Sequence, residues 1–162
     1  MGIADELIEN NAAYAATFEP EPQGAPSRQV AIVACMDARL DPLPVLGLEV
    51  GQAHVIRNAG GIVSNDALRS LVISQRKLGT REVVIVQHTA CGMMTITDEG
   101  FVEELREDVG EAPSWAPGAF GDLEQSVRDS VERVRSDPFL VDTAHVRGLI
   151  FDVQTGAVRE VV

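Results

Sequence analysis

Cys35, His88 and Cys91 are residues of the types that bind a soft metal ion. Cys35 closes the apolar run VAIVAC inside Cys35-Met36-Asp37-Ala38-Arg39, and His88 and Cys91 stand three apart in His88-Thr89-Ala90-Cys91. The two cysteines are the only ones in the chain. Two thiolates and an imidazole make a ligand set that zinc takes readily, and a trio of protein donors leaves one tetrahedral position open, the mark of catalytic rather than structural zinc. Thiolate donors also favour zinc over harder divalent ions. Asp37 and Arg39 follow Cys35 at steps of two, and residues i and i+2 of an extended segment point the same way. All three side chains therefore face one cavity if the segment leaves its strand without turning. There a carboxylate accepts a hydrogen bond from water and orients it, while an arginine against it keeps it ionised.

Each residue taken alone has a plainer reading. A cysteine ending an apolar strand is usually a packed small side chain, a single histidine is usually a hydrogen-bonded core residue, and a Cys35–Cys91 disulfide is disfavoured in a reducing compartment. The five residues together favour metal. His54 and His145 have no partners in a motif and read as structural or surface residues. Met93 and Met94 read as core or pocket wall, and Asp98 and Glu99 as the start of a helix. Gly60 and Gly61 mark a tight turn or a close backbone approach, and Arg57 reads as an ion-pair residue.

Three motifs, Cys35-Met36-Asp37-Ala38-Arg39, Arg57-Asn58-Ala59-Gly60 and His88-Thr89-Ala90-Cys91-Gly92, stand in the order and approximate spacing of the beta-class carbonic anhydrases, which the chain resembles from about Val30 to its C-terminus. The resemblance implies zinc held by Cys35, His88 and Cys91, an Asp37–Arg39 dyad beside it, and reversible hydration of carbon dioxide to bicarbonate and a proton. Position 38 is alanine where many members carry serine. The tryptophan-arginine-tyrosine trio that makes an inhibitory bicarbonate site in some members has no match, since the sole Tyr is Tyr14 and the sole Trp is Trp115. Hydrolases of carbonyl sulfide and carbon disulfide resemble the same fold and keep the same zinc and dyad residues, so they form the alternative. A zinc-binding protein without turnover is a second alternative, and it would need Asp37 to close the fourth position.

Short apolar runs alternate with amphipathic stretches along the chain, the pattern of an α/β protein with a mostly parallel sheet. Strands are predicted at 30–34, 53–57, 82–87 and 146–153, with helices at 64–78, 98–110 and 122–136. The turn Gln154-Thr155-Gly156 leads to an extra C-terminal strand at 157–161. The fold class is thus a central sheet of four strands plus that extra one, flanked by helices. Cys35 and His88 both fall at the C-terminal ends of strands, where open parallel sheets bind ligands.

Ahead of this core, Ile3, Leu7, Ile8, Asn11, Tyr14, Ala15 and Phe18 recur at helical spacing. One domain is expected: a helical arm over 1–19, a proline-rich linker over 20–27 and a zinc-binding core over 28–162. The family resemblance implies an arm laid across a second subunit, hence a homodimer or a dimer-based homo-oligomer. With 13 Lys and Arg against 25 Asp and Glu the net charge is −12, which excludes nucleic acid and anionic membrane surfaces as partners. No apolar stretch approaches the roughly 20 residues of a membrane span, and the N-terminus lacks the basic start and apolar run of a secretion signal. A cytoplasmic location follows, where both thiols stay reduced.

Overall fold

A computed structural model describes residues 2–20 and 24–162. Met1 and residues 21–23 of the expected linker lie outside the described residues. The chain forms a five-stranded sheet from β1 (Val30–Cys35), β2 (Ala53–Asn58), β3 (Glu82–His88), β4 (Val146–Phe151) and β5 (Val158–Glu160), in the order β2-β1-β3-β4-β5. The first four strands are parallel and β5 is antiparallel to β4. The continuous apolar runs of β1 and β3 reflect burial on both faces, which parallel strands undergo. Strands β1, β2 and β3 each run one residue past their predicted ends, so Cys35, Asn58 and His88 belong to the sheet itself.

Among the described residues five α-helices accompany them: α1 (Ile3–Ala15), α2 (Pro42–Val45), α3 (Asn65–Leu78), α4 (Asp98–Val109) and α5 (Leu123–Arg135). Short α2, which carries two prolines in four residues, has no helical periodicity to betray it in the sequence. Ser64 caps α3 by accepting from the Ala67 amide at 3.2 Å, and Asp122 caps α5 by accepting from the Gln125 amide at 3.0 Å, each meeting an amide that no helical turn can reach. One face of the sheet, Ala31, Val33, Val83 and Ile85, is covered by Ala67 and Leu71 of α3 and by Val131 and Val134 of α5. Each such valine or leucine contributes about 1.5–3 kcal/mol on burial. The other face gathers Ile32, Ala34, Leu40, Val86 and Phe151 with Cys35 and Cys91. By contrast, α1 and α4 bury no residue completely.

From β1 the chain passes to β2 on one side of the sheet and then returns across it to β3 on the other. The connections therefore diverge between β1 and β3, and the crevice beyond the C-terminal ends of those two strands is the topological switch point. Cys35 closes β1 and His88 closes β3.

Candidate metal centre

Beyond β1, the amide of Met36 donates to the Asn58 carbonyl at 2.8 Å, and the chain then turns, with the Leu40 amide donating to the Asp37 carbonyl at 3.1 Å. The extended alternation expected for Cys35, Asp37 and Arg39 is not the geometry adopted. Instead the turn itself brings dyad and cysteine together. The Asp37 carboxylate accepts from the Arg39 amide at 2.9 Å, a local bond that short acidic side chains make readily in turns. It also receives the Arg39 guanidinium in a fork, Nε to Oδ1 at 2.9 Å and Nη2 to Oδ2 at 2.8 Å. Arg39 further donates to the Ala90 carbonyl at 3.1 Å, joining the loop after β1 to the loop after β3.

After β3, Thr89-Ala90 turns sharply enough to return Cys91 beside His88. Ala90 takes φ 52°, a left-handed conformation rare for a residue with a Cβ. The sequence offers no signal for this, since alanine is not a residue that usually marks such a position. The structure thereby brings together the Cys35, His88 and Cys91 donor atoms, all within 4.8 Å of one another. The two Sγ atoms are 4.0 Å apart, both thiols are free, and the three residues are 4%, 0% and 3% exposed in that order.

The second motif, Arg57-Asn58-Ala59-Gly60, frames the first. Asn58 closes a short 3₁₀ turn over Ala59–Gly61 by donating from its amide to the Ile62 carbonyl at 2.8 Å and accepting from the Ile62 amide at 3.1 Å. Gly61, at φ 62°, lies so close to β1 and β3 that a Cβ there would stand 2.6 Å from the Cys35 nitrogen and 2.9 Å from the Val86 carbonyl oxygen. Gly61 is where the backbone approaches the site closely, as expected. Arg57 forms no ion pair among the described residues. Its guanidinium donates to main-chain carbonyls instead. Met93 packs against the cluster that holds both cysteines, whereas Met94 is exposed. His54 hydrogen-bonds Ser74 at 2.7 Å, and His145 is exposed, so neither joins the site. Asp98 and Glu99 open α4.

The donor set fits zinc on observations internal to the site. The His88 Nδ1–H donates to the Thr89 carbonyl at 2.9 Å. That bond leaves the Nε2 lone pair facing inward, where Nε2 is buried without any hydrogen-bond partner. An unpartnered buried nitrogen costs on the order of 1–3 kcal/mol unless something binds it. Burial pushes the Cys35 thiol up, but the facing His88 ring and the amides of Asp37 and Gly60 outweigh it and bring the group down to about 7. Burial, with the adjacent Cys35 charge, pushes Cys91 up to about 11. Neighbouring Cys35 raises the His88 imidazole above its ordinary value. Two buried thiolates side by side are unfavourable alone and are reconciled by a cation between them. Beside them the Arg39 fork holds the Asp37 carboxyl well below the usual carboxylate range. Asp37 Oδ2 is 3.6 Å from His88 Nε2, within reach of whatever occupies the space between the donors.

Two neighbouring cavities, about 360 Å³ between Ile62, Phe120 and α5 and about 390 Å³ between Met94, Phe120 and the start of α4, contain none of the three donors. Around the dyad, Met36 is 64% exposed and the Arg39 side chain 50%.

The sequence of residues 30–158 matches the family model described as "Carbonic anhydrase". Beta-carbonic anhydrase 1 of Mycobacterium tuberculosis is 46% identical over 161 residues, covering 99% of this chain and 99% of that protein. A carbon disulfide hydrolase of Acidithiobacillus thiooxidans is 34% identical over 154 residues, 82% of this chain and 77% of its own length. Among solved structures, a carbonic anhydrase from Streptococcus mutans superposes with a TM-score of 0.92 at 41% identity, covering 100% of this chain and 99% of that one.

Proposed function

The chain belongs to the beta-carbonic anhydrase family, and from that premise we propose that Cys35, His88 and Cys91 hold the zinc of a carbon dioxide hydratase in which Asp37 and Arg39 orient the reacting water. The activity, zinc-dependent and reversible hydration of carbon dioxide to bicarbonate and a proton, follows from family membership over essentially the whole chain. The single observation that carries the residue assignment is the inward-facing, unpartnered Nε2 of His88 among two free thiols.

When bound, zinc at such a site acidifies water and makes it nucleophilic near neutral pH. The chain's own residues do the rest. The Thr89 carbonyl fixes the tautomer and orientation of His88. Ionised throughout the neutral range because Arg39 donates to both of its oxygens, Asp37 has only acceptor capacity left. It can therefore take a hydrogen bond from water or hydroxide but cannot donate one, which aims the oxygen lone pair at the carbon of the substrate. Arg39 pins the carboxylate to the Ala90 carbonyl and so keeps it from swinging inward to fill the open position. Two anionic thiolates acidify water less than three neutral imidazoles would, so activity rises with pH.

A carbon disulfide hydrolase reading rests on the 34% identical relative, which falls below the carbonic anhydrase relative in identity and in share of length. Parallel assays on zinc-quantified protein at alkaline pH separate the two. Rapid hydration of carbon dioxide with trace sulfide from carbonyl sulfide is expected, and efficient sulfide release with feeble hydration would overturn the substrate assignment.

The remaining organisation also belongs to this reading. Residues 28–162 form the zinc-binding core, and 1–19 form an arm that packs on a second copy of the chain as a homodimer or dimer-based assembly. The exposed apolar side chains of α1 and the open surroundings of Met36 and Arg39 support it. No helix among the described residues is long and apolar enough to cross a membrane, and two thiol ligands suit the reducing cytoplasm.

A further inference from the structure

Arg57, at the end of β2, directs one edge of its guanidinium at the segment that follows β1. Nε donates to the Cys35 carbonyl at 3.0 Å, and Nη2 donates to the Asp37 carbonyl at 2.8 Å and to the Leu40 carbonyl at 2.7 Å. Nε carries one N–H and Nη2 two, so donors and acceptors match in number. All three acceptors lie within Cys35–Leu40, which carries a thiol of the metal centre, the Asp37 carboxylate and Arg39. Main-chain bonds hold this turn at two other points, Met36 to Asn58 and Leu40 to Asp37, and the second shares the Asp37 carbonyl with Arg57.

We propose that Arg57 is a positioning residue, a guanidinium clamp on the main chain of Cys35–Leu40 that sets where Asp37 stands relative to the metal donors. The part concerning catalysis rests on the reading of Asp37 given above, whereas the clamp itself rests on the three carbonyl contacts. Arg39 fixes the Asp37 side chain and Arg57 fixes its backbone, so the two arginines restrain different degrees of freedom of one residue. A lysine cannot substitute, because a single ammonium lacks the planar fork that meets carbonyls five residues apart.

The test compares Arg57→Lys and Arg57→Ala with wild type by hydrogen–deuterium exchange of the metal-free protein and by steady-state kinetics of the zinc form. Exchange at Met36–Leu40 is expected to rise at least about tenfold in both variants, with β3 and β4 unchanged. With zinc content retained, kcat should fall roughly 10- to 100-fold at nearly constant KM, the range seen when a residue orienting a metal site is removed. Added methylguanidinium should restore part of the Arg57→Ala rate and none of the Arg57→Lys rate. Unchanged exchange at 36–40 in both variants would overturn the clamp, as would exchange that accelerates equally in every strand. Because exchange is read without metal or substrate, faster exchange at 36–40 upholds the clamp even if wild type itself failed to hydrate carbon dioxide.

Discussion

Cys35 and Cys91 share one apolar pocket yet ionise far apart, at about 7 and about 11. The cause is what surrounds each sulfur: Cys35 faces the His88 ring and two amides, while Cys91 faces burial and the charge of Cys35. The order of events on metal entry follows. Near pH 8 Cys35 is already a thiolate and Cys91 still holds its proton. A metal ion must displace that proton, so higher pH favours binding. Apparent zinc affinity is expected to rise at least about tenfold per pH unit between about pH 7.5 and 9, one proton being released from Cys91 per ion bound. Chelator-competition titration across that range measures it, and a flat profile would mean that Cys91 is not a ligand. The ligand types were legible in the sequence because cysteine and histidine at strand ends have few other uses in combination. What was not legible is how Asp37 and Arg39 meet the metal donors. Alternation along an extended chain predicted it, and a turn closed by the Leu40 amide achieves it. Nor could Arg57 be placed, since its acceptors are carbonyls, which every residue has.

At the scale of elements, the site depends on three chain segments approaching more closely than side chains allow. The 3₁₀ turn after β2 presses Gly61 onto the backbones of β1 and β3 at a positive φ. Gly61→Ala combines a strained conformation with a clash against backbone that cannot move aside, and is expected to cost about 2–4 kcal/mol of stability. Urea denaturation checks this, and a loss under about 0.5 kcal/mol would show that the turn is not pressed against Cys35. Strands and long helices were readable from the sequence because burial on both faces of a parallel sheet leaves unbroken apolar runs, and because α3 and α5 carry capping residues at their starts. The 3₁₀ turn over Ala59–Gly61 and α2 were not, since elements of three or four residues are too short to show a period.

For the whole molecule, the feature that the isolated chain leaves unexplained is α1. All of its residues are exposed, Ile3, Leu7, Ile8 and Tyr14 among them. A helix of 13 residues with so little packing is marginal in water, so its apolar side chains need a surface, and in the assembly proposed above that surface belongs to a second copy. Removing residues 1–19 is expected to shift the protein from dimer to monomer in sedimentation velocity and to lower activity. A truncated protein that remains a fully active dimer would contradict the arm. Zinc-dependent hydration by the Cys35, His88 and Cys91 centre is the claim on which the other assignments depend. The most direct measurement titrates zinc into metal-free protein while following carbon dioxide hydration by stopped flow, with Cys91→Ala as control. Activity that rises linearly, levels off at one zinc per chain and is absent from Cys91→Ala is the predicted result. Hydration that is independent of added zinc, or undiminished in Cys91→Ala, would contradict it.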